Sequence, residues 1–164
     1  MKHYSGVIVW DLDETLIDSR HRTPRNPDGT VNLDHYRAHA TRENIFKDTL
    51  YPLANVARKM YCSGDWYTVF CTARHMYDAD YAFLIEHDLK AHRILSRDKA
   101  KPAHYVMRDA DYKATWIKPR MMLKQFQGLP WFMYDDEKKV IARMRSLGIQ
   151  CGNAVKTNQR LSNV

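Results

Sequence analysis

Short apolar runs alternate with amphipathic stretches along most of this chain. Residues 7–10 (Val-Ile-Val-Trp) form an apolar run with no polar alternation, which predicts a strand buried on both faces of a parallel sheet. Similar runs predict four further strands, at residues 67–71, 91–95, 131–134 and 149–155. Apolar residues at helical spacing predict helices at about 48–61, 75–87, 111–126 and 138–148, the third weakened by Pro119. Strands that alternate with helices imply right-handed crossovers and an α/β three-layer sandwich with a five-stranded parallel, Rossmann-like sheet.

One segment departs from this alternation. Residues 19–32 carry two prolines and an Asp-Gly pair, which predicts a loop or hairpin, and Asp34 is expected to cap a short helix through about Thr41. The length of the chain suits a single domain over residues 1–164, with residues 19–48 as a small loop or cap segment.

The lengths of the apolar runs and the net charge indicate where the protein works and what kind of partner it binds. No apolar run approaches the roughly 18 residues that a membrane span needs, and the beginning of the chain lacks the apolar stretch of a signal peptide, so we expect a cytoplasmic protein without a membrane partner. The net charge of +7 suits a polyanionic partner, although ordinary solvated surface charge explains it equally well.

Acidic pairs follow two of the predicted strands. Asp11 and Asp13 come after the first strand, and Asp135 and Asp136 come after the fourth. Parallel strands present ligand sites at their carboxyl ends, so neighbouring central strands would bring the pairs together. Two like charges 4 Å apart repel by about 4 kcal/mol at an effective dielectric constant near 20, so the cluster needs protons or a cation. Mg²⁺ suits such oxygen ligands, although each pair taken alone is also explained by surface acids that cap helices.

The order of these residues resembles a known family. Asp11-Leu12-Asp13-Glu14-Thr15 is similar to the DxDxT signature of the haloacid dehalogenase superfamily, most members of which are phosphotransferases. Thr72 after the second strand resembles the second motif of that superfamily, Lys118 or else Lys124 its third, and Asp135-Asp136 its fourth. The resemblance covers residues 6–155 and implies a haloacid dehalogenase-like fold with a minimal cap.

The same resemblance implies a phosphatase mechanism. Asp11 would be the nucleophile that forms an aspartyl-phosphate, and Asp13 would protonate the leaving oxygen and then activate water. Thr72 would hydrogen-bond the phosphoryl oxygens, and Lys118 would offset their charge in the transition state. Mg²⁺ would be held by Asp11, the backbone carbonyl of Asp13, and Asp135 or Asp136.

A closer resemblance is to the 3′-phosphatase domain of phage polynucleotide kinases. Arg22 falls in the loop where that domain carries an arginine, and Thr72-Ala73-Arg74 is similar to its Ser-Gly-Arg. This implies that Arg22 and Arg74, with Lys124, bind the substrate. The chain departs from the pattern because the acidic residue expected four positions before the third-motif lysine is Ala114 when that lysine is Lys118.

These resemblances imply a substrate class. We expect a Mg²⁺-dependent phosphomonoesterase that removes 3′-phosphates from nucleic-acid ends, as in repair, working in the host cytoplasm if a phage encodes it. The alternative is a 5′(3′)-nucleotidase that acts on free nucleotides or deoxynucleotides. A receiver-like or non-catalytic phosphate-binding module is a remote third possibility, and the sequence leaves the oligomeric state open.

Overall fold

The predicted α/β architecture is present. The computed structural model describes residues 3–98 and 100–163. Its strands are β1 Gly6–Trp10, β2 Ile17–Asp18, β3 Thr49–Leu50, β4 Trp66–His75, β5 Arg93–Arg97, β6 Trp131–Asp135 and β7 Gln150–Asn153. Five of them form one parallel sheet in the order β5-β4-β1-β6-β7, and the two short strands, β2 and β3, pair antiparallel outside it.

Helices cover both faces of the sheet. They are α1 Leu33–Ala38, α2 Arg42–Ile45, α3 Leu53–Ser63, α4 Asp78–Glu86, α5 Ala103–Val106, α6 Asp109–Met121, α7 Lys138–Ser146 and α8 Ala154–Ser162, with short 3₁₀ helices at Arg20–Arg22 and Lys124–Phe126. None of the described helices is long and apolar enough to cross a membrane.

Strand β1 lies at the centre of two hydrophobic cores. Ile8 and Trp10 point to one face, where they pack with residues of α3, α4 and α8. Val7 and Val9 point to the other face, where they pack with residues of α6 and α7. All five residues of β1 are buried, which explains the continuous apolar run in its sequence.

Several elements differ in their bounds from the sequence-based expectations, among them α6 and the last strand. Helix α6 continues through Pro119, because the proline falls in the last turn and the helix ends two residues later. The last strand ends at Asn153, whose side chain accepts a hydrogen bond from the Lys156 backbone and begins α8, a helix that the apolar pattern did not predict.

The segment at residues 19–48 begins and ends at the β2–β3 pair. It contains a 3₁₀ turn, α1 and α2, and the side chain of Asn32, rather than that of Asp34, caps α1 by accepting from the His35 backbone. Its role as a cap stays a prediction, as does the single-domain organisation.

Candidate active site

The chain turns sharply where β1 ends. Asp11 is buried, and the next residues form a tight loop in which the backbone amides of Leu16 and Ile17 both donate to the carbonyl of Leu12. Glu14 adopts the left-handed conformation (φ 57°) that this loop requires. The loop returns Thr15 toward β1, where its hydroxyl donates to Asp11 Oδ2 over 3.3 Å.

Three of the four carboxylates in the two acidic pairs lie close together. Strand β6 lies directly beside β1, so Asp135 at its end comes next to Asp11. Carboxylate oxygens of Asp11, Asp135 and Asp136 lie within 4.8 Å of one another, a spacing that suits a shared metal ion. The carboxylate of Asp13 lies outside this group.

A buried lysine joins the two strands. Lys113 Nζ, on α6, donates to Asp11 Oδ1 over 2.6 Å and to Asp135 Oδ2 over 2.7 Å. Burial works against its charge, but the attraction of Asp11 and Asp135 outweighs burial and raises the pKa of Lys113 well above its usual value. The ammonium group therefore stays charged and partly compensates the acidic cluster.

The single positive charge of Lys113 does not balance the negative charge of the three carboxylates. Burial first, and then the charge of Asp135, raise the pKa of Asp136 to about 7. Burial also raises the pKa of Asp11, with the neighbouring carboxylates adding to the rise and Lys113 opposing it. Once all three carboxylates are ionised, the single ammonium leaves two negative charges, the amount that one divalent cation would neutralise.

Lys118 and Lys124, the lysines that the sequence analysis proposed, are placed elsewhere. Both are exposed, and neither lines the cavity above the acidic cluster. Lys118 lies five residues after Lys113 on α6, and at about 100° per residue it points some 140° away around the helix axis. The third motif of the family, an acidic residue four positions before a lysine, does fit Lys113, because residue 109 is an aspartate.

Asp13 is held by a buried arginine. Arg74 Nε donates to Asp13 Oδ2 over 3.0 Å, and its Nη2 makes a second, short contact with Oδ1, which also accepts from Ser19 Oγ over 2.8 Å. Arg74 Nη1 pairs with the buried Asp80 over 2.5 Å. Burial favours the neutral form of Asp13, but Arg74 outweighs burial and lowers the pKa of this carboxyl. Arg74 lines the cavity, although its donors are directed at carboxylates.

Arg22, expected to grip phosphate, has a different partner. Its guanidinium makes two hydrogen bonds with the buried Asp48, at 2.9 Å and 2.7 Å, and lies over the ring of Tyr36. Arg22 does not line the cavity. The residue therefore ties the beginning of the 19–48 segment to its end, a long-range pairing that no local pattern in the sequence signals.

A cavity of about 1080 Å³ opens above the carboxyl ends of β1, β4 and β6. Asp11, Thr72, Lys113 and Asp135 line it and are all buried, and the Oγ of Thr72 accepts from the Arg74 backbone over 3.1 Å. Residues of the 19–48 segment form another part of the wall. Nine carboxylate and eight cationic side chains line the cavity, so its charge is almost balanced although the whole chain is strongly basic.

This arrangement matches known proteins in sequence and in fold. The family model described as bacteriophage T5 5′-deoxynucleotidase matches residues 1–164. The 5′-deoxynucleotidase of Escherichia phage T5 is 30% identical over 177 residues, which cover 98% of this chain and 71% of that protein.

Solved structures share the fold at low identity. A haloacid dehalogenase-like hydrolase from Streptococcus pneumoniae aligns over 94% of this chain and 90% of its own, with a TM-score of 0.62 and 15% identity. A chain of the Pnkp1/Rnl/Hen1 RNA repair complex aligns with the same TM-score and 19% identity over 90% of this chain, which spans only 42% of that longer chain. The chain belongs to the bacteriophage T5 5′-deoxynucleotidase family, and it shares the fold of haloacid dehalogenase-like hydrolases.

Proposed function

We propose that this protein hydrolyses deoxynucleoside 5′-monophosphates with the help of Mg²⁺, through an aspartyl-phosphate on Asp11. The observation that carries the proposal is the convergence of Asp11, Asp135 and Asp136 around Lys113 at the carboxyl edge of the sheet. The choice of substrate is supported by the match of the whole chain to a family described by its 5′-deoxynucleotidase.

The acidic cluster fits a hard divalent cation. Oxygen atoms from three carboxylates within 4.8 Å of one another form a donor set typical of Mg²⁺, and one divalent ion would neutralise the charge that Lys113 leaves unbalanced. Asp11, Asp135 and Asp136 would hold the ion, whereas the Asp13 carboxylate is engaged by Arg74 and Ser19. When bound, Mg²⁺ would reduce the repulsion between the Asp11 carboxylate and the phosphate oxygens.

Asp11 is oriented for attack on phosphorus. Lys113 holds its Oδ1 and the Thr15 hydroxyl holds its Oδ2, so the carboxylate plane is fixed before the substrate arrives. In the proposed first step, an Asp11 oxygen forms a bond to phosphorus while the bond from phosphorus to the nucleoside 5′ oxygen breaks. In the second step, water attacks the same phosphorus and the Asp11–phosphorus bond breaks, which releases inorganic phosphate.

Asp13 is proposed to move the proton in both steps. It would donate a proton to the departing nucleoside oxygen and then accept one from the attacking water. Its ion pair with Arg74 keeps it deprotonated in the present structure. The acid role therefore requires that Arg74 leave Asp13 when substrate binds, and the substrate phosphate is the anion that would compete for this guanidinium.

Thr72 and Lys113 are proposed to complete the site. Thr72 lies on the cavity wall in β4, three residues before the strand ends, where its hydroxyl would donate to a phosphoryl oxygen. Lys113 replaces Lys118 in the role of offsetting negative charge in the transition state, because it is the lysine that contacts Asp11. The 19–48 segment would cover the site as a small cap.

The nearly balanced charge of the cavity favours a small substrate. A polynucleotide site gains most of its affinity from basic side chains that neutralise several backbone phosphates, whereas this cavity holds one carboxylate more than it holds cations. A nucleic-acid 3′-phosphate remains the second candidate, supported by the shared fold with a chain of an RNA repair complex. The phage relative is consistent with work in the host cytoplasm.

Phosphate release from three substrate classes would test the proposal. Deoxynucleoside 5′-monophosphates should be hydrolysed at least about ten times more efficiently than 3′-phosphorylated oligonucleotides, and chelation of Mg²⁺ should abolish the activity. Oligonucleotide binding to single-strand sites would instead show a log–log salt slope of about −0.7 per displaced counterion. A preference for the oligonucleotide with such a slope would reject the mononucleotide assignment.

Two variants test the nucleophile. Asp11→Asn should remove turnover on every substrate while the circular dichroism spectrum is unchanged. Asp111→Asn is the matched control, because Asp111 also lines the cavity but pairs only loosely with Arg143, at 3.9 Å. Turnover that survives Asp11→Asn would exclude the aspartyl-phosphate.

A further inference from the structure

Arg97 is the centre of a hydrogen-bonding cluster beside the site. It is the last residue of β5, and its side chain is 9% exposed. Its guanidinium lies over the ring of Tyr112, 4.7 Å from the centroid. Its acceptors are the carbonyl oxygens of Ala73 (2.8 Å from Nε), Met107 (2.8 Å from Nη2) and His104 (a short contact with Nη1), and Asp109 Oδ1 (2.6 Å from Nη2).

These contacts leave Arg97 poorly suited to bind substrate. A guanidinium has five N–H donors, and four donor–acceptor contacts are already made within the protein. Asp109 also compensates its charge. Although Arg97 lines the cavity, its donors are committed to holding the chain rather than an incoming phosphate.

The acceptors belong to the two segments that carry the phosphate-handling residues. Ala73 lies between Thr72, the proposed phosphoryl ligand, and Arg74, which holds Asp13. Asp109 is in the first turn of α6, and Lys113 follows it by four residues, which is about one helical turn. Arg97 therefore joins the end of β4 to the beginning of α6 through one planar group.

We propose that Arg97 is a positioning residue that sets Thr72 and Lys113 at the separation one phosphoryl group requires. This inference rests on the proposed function, because it assigns those two residues to the same transition state. Loss of the Arg97 contacts should lower kcat rather than weaken substrate binding, since displacements of about 1 Å among catalytic groups can lower rates by about 10²-fold.

Steady-state kinetics of Arg97→Lys would test the role. A lysine retains the charge but cannot reach four acceptors from one planar group, so kcat should fall by about 10–100-fold while KM changes less than about threefold. Arg58→Lys is the matched control, because Arg58 is a partly buried arginine that also donates to a backbone carbonyl, that of His87, but does not line the cavity. It should keep kcat within about twofold. An unchanged kcat in Arg97→Lys, an effect on KM instead, or an equal loss in Arg58→Lys would overturn the proposal.

A double-mutant cycle tests whether Arg97 acts through Lys113. If it does, Arg97→Lys combined with Lys113→Met should lose clearly less activity than the product of the two single losses, because residues that act as a unit give non-additive losses. Losses that multiply would show that Arg97 acts independently and would reject the role.

Hydrogen exchange separates this inference from the proposed function, since it needs no activity. Backbone amides at residues 72–74 and at residues 107–113 should exchange faster together in Arg97→Lys, and neither group should change in Arg58→Lys. If only one group or neither responds, the connection is absent and the inference fails even in an active enzyme. If both respond and no phosphomonoester is hydrolysed, the connection stands and the proposed function fails.

Discussion

Replacement of Lys113 by methionine would be the most informative single change. Each of its contacts, at 2.6 Å and 2.7 Å, is worth about 6 kcal/mol of Coulomb attraction at an effective dielectric constant near 20. The cost of burying the ammonium cancels much of this, and breaking such a buried pair usually costs about 3–5 kcal/mol. For a chain of this size that corresponds to a fall in Tm of about 6–20 °C.

The same substitution should lower kcat by about 10²–10³-fold, the loss typical when one electrostatic group of a transition-state site is removed. Phosphate release from a deoxynucleoside 5′-monophosphate at saturating Mg²⁺ would measure kcat, and thermal unfolding followed by circular dichroism would measure stability. Lys118→Met is the matched control on the same helix, and because Lys118 is exposed it should change kcat less than about twofold. Equal losses in the two variants, or full activity in Lys113→Met, would refute the assignment of the charge-offsetting role to Lys113.

Two further outcomes test other parts of the site. Arg22→Met should destabilise the fold by up to about 3–5 kcal/mol, because it leaves the buried Asp48 carboxylate with only His21 as a side-chain partner. Arg22→Met with Asp48→Asn should recover part of the loss in a denaturant titration, whereas a large rise in KM with unchanged stability would restore Arg22 as a phosphate ligand. Burial and Asp135 raise the pKa of Asp136 from 3.8 to about 7. The native state therefore holds a proton that the unfolded chain has released, and the metal-free protein should lose stability as pH rises from about 4 to about 7. Thermal melts should show this fall, a larger stabilisation by Mg²⁺ at pH 8 than at pH 5, and a shallower fall in Asp136→Asn, in which Asp11 still titrates. An identical profile in Asp136→Asn and the unaltered protein would contradict the assignment to Asp136.

The sequence alone carried much of the fold and the acidic half of the site. The apolar run that becomes β1 is so continuous that only a strand buried on both faces suits it, and the acids that follow β1 and β6 are local features of the chain. Because parallel strands present their carboxyl ends at one edge, the convergence of Asp11 with Asp135 and Asp136 follows from the strand pattern.

Only the tertiary structure shows which basic residues belong to the site. Several lysines and arginines follow the predicted strands closely enough to reach the site, and the residues around them along the chain are similar. The phase of α6 brings Lys113 to the carboxylates and turns Lys118 to solvent, while a partner 26 residues away engages Arg22. The existence of the strands and the acids that follow them are set by short-range patterns. The partner of a long cationic side chain depends instead on helix rotation and on contacts between distant segments, which a linear pattern does not encode.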